Sequence, residues 1–87
     1  IFKYFLFVFH NKYKFSTKSL RKSLRIFKSM AKFIKSRSSS QCRTRHQHVL
    51  RKSVSLDAAI KKYIKETPEF YAVYYQAKKA LENIEQD

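Results

Sequence analysis

The stretch that decides the fold is Arg37–Leu50, RSSSQCRTRHQHVL. Ser38 and Gln41 stand at the S-x-x-Q spacing of a capping box, in which each side chain satisfies a free backbone N–H at a helix start. The spacing predicts a helix over roughly Ser39–Ser53. Cys42, His46 and Val49 recur along it at i, i+4 and i+7, with Leu50 beside them, and form a narrow apolar face. Ser40, Thr44, His48 and Arg51 point elsewhere, with Arg43 and Gln47 nearby.

Upstream, after the polar stretch Ser16–Ser19, apolar residues recur at Leu20, Leu24, Phe27, Ala31 and Ile34. Steps of four and three predict one amphipathic helix. Arg21, Lys22, Arg25, Lys28, Lys32 and Lys35 cover the rest of its surface. A short serine turn between two basic amphipathic helices is a helix-turn-helix arrangement. Further upstream, Ile1–Phe15 carries Phe2, Tyr4, Phe5, Phe7, Phe9, Tyr13 and Phe15. FLFVF alone has strand propensity. With no hairpin signal and clear helices downstream, a buried helix is expected.

Downstream, Ser55 is a candidate N-cap, with Asp57 in the first turn, where the helix dipole favours an acid. Leu56, Ala59, Ile60, Tyr63 and Ile64 follow at helical spacing. Thr67-Pro68-Glu69 reads as N-cap, first-turn proline and acid, a further helix start. That last helix carries Phe70, Val73, Tyr74, Ala77, Leu81 and Ile84 on one side, widened by Tyr71 and Tyr75. The expected fold class is all-α, with a three-helix unit over 1–53 and a two-helix extension over 54–87.

Composition narrows the chemistry. The 87 residues include no glycine, one proline and one cysteine. Gly-rich phosphate loops and tight β-hairpins lose their usual residue. A lone Cys42 rules out an internal disulfide framework and zinc sites that need two or four cysteines. The net charge of +14 is unevenly spread. Residues 1–56 hold 15 Lys+Arg and no acid, whereas 57–87 hold five bases and six acids, so the halves carry +15 and −1. That asymmetry points to a polyanionic partner for the first half. The apolar run Tyr4–Phe9 is far too short to span a bilayer, so no membrane role is expected. Opening on Ile1 rather than Met, the sequence reads as part of a longer protein.

The run from Arg37 to Leu50 resembles the third-helix signature of Myb/SANT domains, R-[ST]-x-x-QCR-x-R-W, matched at Arg37, Ser38, Gln41, Cys42, Arg43 and Arg45. Phe7, Phe27 and His46 stand 20 and 19 residues apart, similar to the core-aromatic spacing of three-helix Myb repeats. His46 takes the place of the usual tryptophan, and a smaller, polar ring there implies a looser core. The longer run Ser19–Gln47 also resembles a divergent Myb-like or homeobox-like group of single-celled eukaryotes. Some members of that group are non-catalytic subunits of a DNA N6-adenine methyltransferase complex built around a heterodimer of MTA-type proteins.

The resemblance covers about residues 1–53 and implies a three-helix Myb/homeodomain-like bundle that binds double-stranded DNA in the nucleus. It places base readers at Ser40, Thr44 and His48. Ser, Thr and His make weaker, more permissive base contacts than Arg or Asn, so low sequence specificity is expected. Arg43, Arg45, Arg51 and Lys52 suit phosphate contacts, and Arg37 and Gln47 complete the expected nucleic-acid site. The stripe Phe70, Tyr71, Tyr74, Ala77 and Leu81 is the expected docking surface for other subunits, among them MTA-type methyltransferase subunits.

Blander readings compete with these. The N-terminal aromatics are expected to fill the core rather than stack on bases. Cys42 and His46 share a helix face, but His48 points away and no acid lies nearby, so no metal is expected. Nothing in the first 56 residues orients a nucleophile, and no glycine-rich cofactor loop or D-P-P-W motif is present. No cofactor, small-molecule substrate or enzymatic activity is therefore expected. A rival function is an RNA-binding structural subunit of a ribonucleoprotein such as a ribosomal protein.

Overall fold

A computed structural model describes residues 2–23 and 25–85. Those residues form six α-helices and a 3₁₀ turn, with no strand among them. The helices are α1 (Phe2–His10), α2 (Lys18–Ser23), α3 (Ile26–Ile34), α4 (Ser39–Lys52), α5 (Leu56–Glu66) and α6 (Phe70–Glu85); the 3₁₀ turn is Lys12–Phe15.

Helix α1 is the central element because it is apolar on nearly every side, with Lys3 its exposed residue. Tyr4, Phe5, Leu6, Phe7 and Val8 are all buried in succession, which requires neighbours on every side. Helices α3, α5 and α6 supply them. Phe5 stacks on Tyr63 of α5 at 4.1 Å between ring centres, and Phe9 meets Tyr74 of α6 edge-on at 4.9 Å. Phe2 stacks on Phe70 at 5.9 Å. One continuous core results, joining Phe7, Phe15, Met30 and Cys42 with Ile60, Phe70 and Leu81.

Two residues of the expected docking stripe are core residues instead. Phe70 and Leu81 are 0% exposed, consumed by contacts with α1 and α3 rather than offered to a partner. Tyr74 and Ala77 pack partly against the same core, and only Tyr71 of the expected docking stripe stays exposed. The radius of gyration, 12.2 Å, is about the 12 Å of one fully folded unit of this length.

The stretch from Leu20 to Ile34 also differs from the continuous helix that its pattern predicts. The chain breaks between α2 and α3, where Arg25 adopts a left-handed backbone at φ 49°, ψ 48°. Leu24, one member of the predicted stripe, lies outside the described residues. The buried face of α3 is Ile26, Met30 and Phe33, while Phe27, Ala31 and Ile34 are only partly covered. Both sets repeat at four and three, so periodicity alone could not separate them. At the far end of α3, Lys35 also takes positive φ, 68°, and its N–H closes on the Ala31 carbonyl at 2.8 Å.

Local start signals fared better. Ser38 Oγ accepts from the Gln41 N–H at 3.2 Å, and Gln41 Oε1 accepts from the Ser38 N–H at 2.9 Å, which completes the capping box of α4. Ser55 Oγ caps α5 by accepting from the Ala58 N–H at 3.1 Å. Lys12 pairs with Asp57, tying the 3₁₀ turn to the start of α5. Thr67-Pro68-Glu69 forms a turn that leads into α6, whose helix proper begins at Phe70.

Candidate nucleic-acid interface

Helix α4 presents its polar residues outward because its short apolar face is spent on the core. Cys42 and His46 are buried, and Val49 is half-buried. Arg37, Ser40, Arg43, Thr44, Arg45, Gln47, His48, Arg51 and Lys52 are all exposed. All nine expected contact residues are thus at the surface. Thr44 Oγ1 donates back to the Ser40 carbonyl at 3.0 Å, so its hydroxyl is engaged within the helix.

The nine do not form one patch. A groove of about 510 Å³ runs along one flank of α4, and Arg37, Ser40, Thr44, Arg45 and His48 line it. Its far wall is Lys3 of α1, and its floor includes Tyr4, Met30, Ile34 and Cys42. A second groove of about 620 Å³ runs along the other flank, where Arg43 and Gln47 face Lys18, Arg21, Lys22, Arg25 and Lys28. Arg51 and Lys52 sit at the end of α4, outside both grooves. Nine Lys and Arg residues line the two grooves and no carboxylate does.

Two second-groove cations are held in place by the fold. An Arg21 Nη donates to the Phe15 carbonyl at 2.7 Å, and the Arg43 guanidinium lies 5.6 Å over the Phe27 ring. In the sequence Arg21, Lys22, Arg25 and Lys28 read as the basic outer surface of one helix, in the half of the chain expected to meet a polyanion. That they line a groove with α4 follows from the break at Arg25, which no glycine announces.

The floor beneath α4 is a small aromatic box. His46 lies 5.0 Å from Phe15 and 5.5 Å from Phe27 between ring centres, and its Nδ1 is hydrogen-bonded to Tyr4 Oη at 2.7 Å. Burial, with a lesser push from the Arg21 charge, lowers the His46 pKa to about 4, so the ring is neutral at physiological pH. The core is closed rather than loosened at this position, because the ring nitrogen finds a phenol. Burial likewise raises the Tyr4 phenol and the Cys42 thiol, which holds Cys42 in its inert protonated form.

Among the described residues no three His, Cys, Asp or Glu side chains converge as metal ligands, and no helix is long and apolar enough to cross a membrane. Compared with known protein families, curated proteins and solved structures, the chain matches none.

Proposed function

We propose that this chain is a DNA-binding, non-catalytic accessory subunit of a nuclear complex. Helices α3 and α4 act as a Myb-like or homeobox-like helix-turn-helix, with α4 entering the major groove. The observation that carries this reading is the exposed α4 flanked by two grooves lined with nine Lys and Arg residues and no carboxylate. Such a surface neutralises phosphates on both sides of an inserted helix. Ser40, Thr44 and His48 meet the bases permissively, so binding is only weakly sequence-specific.

The sequence resemblance extends the proposal to an assembly that contains an N6-adenine methyltransferase heterodimer. In that setting the chain raises the local concentration of DNA at another subunit's active site. Purifying the native full-length protein and identifying what accompanies it tests this part; recovery of methyltransferase subunits supports it.

Binding itself is tested with a duplex DNA and a structured RNA of equal length at matched salt. The proposal expects the duplex to be preferred. A preference for RNA of more than a few-fold would overturn it in favour of a ribonucleoprotein role.

A further inference from the structure

We propose that the groove between α2, α3 and α4 is a dedicated phosphate-backbone site, and that the strained backbone at Arg25 is retained to build it. This rests on the nucleic-acid reading above and adds how the break at Arg25 gathers the cations of α2 and α3 against α4. The groove is lined by Lys18, Arg21, Lys22, Arg25, Lys28 and Arg43, six cations with no acid among them. No lining carboxylate offsets their mutual repulsion, so a polyanion is the ligand that the surface fits.

The backbone supplies the second argument. Arg25 at φ 49° occupies a left-handed conformation that glycine adopts without steric cost and arginine does not. A purely structural hinge between two helices would favour glycine there. Arg25 instead keeps an exposed guanidinium on the groove rim. Its carbonyl still starts α3, accepting from the Lys28 and Ser29 N–H groups at 3.0 and 3.2 Å, so the hinge is well formed despite the strain. Lys35, also at positive φ, lines neither groove, so it is the place of Arg25 on the groove rim, together with its strain, that ties the hinge to the site. Arg21 and Arg43, already fixed by Phe15 and Phe27, lose little freedom on meeting a phosphate.

The test uses a duplex DNA of mixed sequence and the full chain with three variants. Arg25→Gly is expected to melt at the same or a higher temperature than the parent while its affinity falls and its salt slope flattens by about one unit. Lys18→Gln/Lys22→Gln, which leaves the hinge untouched, is expected to flatten the slope by about two units. The third variant, Arg45→Gln/Arg51→Gln, removes cations outside this groove. If the groove variants keep the parental affinity and slope while the third loses binding, the inference fails and the DNA reading stands. If Arg25→Gly lowers the melting temperature and the lysine pair changes nothing, Arg25 is structural and the inference also fails. If the parent chain shows no salt-dependent duplex binding, the DNA reading itself fails.

Discussion

Tyr4 Oη and His46 Nδ1 meet at 2.7 Å inside the core, 42 residues apart in the chain, and join the central helix to the helix that faces solvent. The phenol and the imidazole are each the other's polar partner in a box of phenylalanines. Removing one leaves a buried polar atom stranded, which costs about 1–3 kcal/mol. Tyr4→Phe and His46→Phe should each lower the melting temperature. The double variant should lose less than the sum, and a double-mutant cycle by thermal denaturation measures the coupling. Strict additivity would mean that the contact contributes nothing.

The same pair makes stability depend on pH. The native imidazole titrates near 4, below the 6.5 or so of an unfolded histidine. As pH falls below about 6.5, the unfolded chain takes up a proton that the native state refuses, and stability is lost until the native ring protonates near 4. Melting temperature should therefore fall more steeply between pH 7 and pH 4 in the parent than in Tyr4→Phe/His46→Phe. Parallel curves would contradict the assignment.

Helix α6 buries Phe70 and Leu81 in the core and leaves Tyr71 and Tyr75 exposed, and two substitutions separate those roles. Phe70→Ala, at a position with no exposure, should destabilise the chain by about 3–5 kcal/mol. Tyr75→Ala, at 68% exposure, should change stability by no more than about 0.5 kcal/mol. Chemical denaturation reads both.

A chain cut after residue 53 should fail to fold cooperatively. It would lose Ile60, Phe70 and Leu81 from the core and uncover Phe5 and Phe9, which pack on Tyr63 and Tyr74. A sigmoidal thermal transition in the truncated chain would contradict a shared core.

What could be read in advance was local. Ser38 and Gln41 announced the start of α4, and Ser55 that of α5, because capping needs only residues a turn apart. The break at Arg25 was not legible: Leu20, Leu24, Phe27, Ala31 and Ile34 satisfy a continuous helix, and the hinge residue is not a glycine. Nor was the fate of Phe70 and Leu81, since an apolar stripe looks the same whether the chain's own core or another protein covers it. For the candidate interface, the resemblance named the contact residues on α4, and their step along the helix made legible only that they lie away from Cys42 and His46, at the surface. Their partners across the second groove, Lys18 and Lys22 among them, depended on how α2 turns and were missed.

The central claim is that the basic faces flanking α4 hold the phosphate backbone, and salt dependence measures it most directly. Duplex binding should be followed by fluorescence anisotropy across a range of salt, for the parent and for Arg43→Gln/Arg45→Gln/Arg51→Gln. The variant should bind more weakly, with a log–log slope flatter by about one unit per lost phosphate contact, about three in all. An unchanged slope in a folded variant would mean that α4 does not face the polyanion.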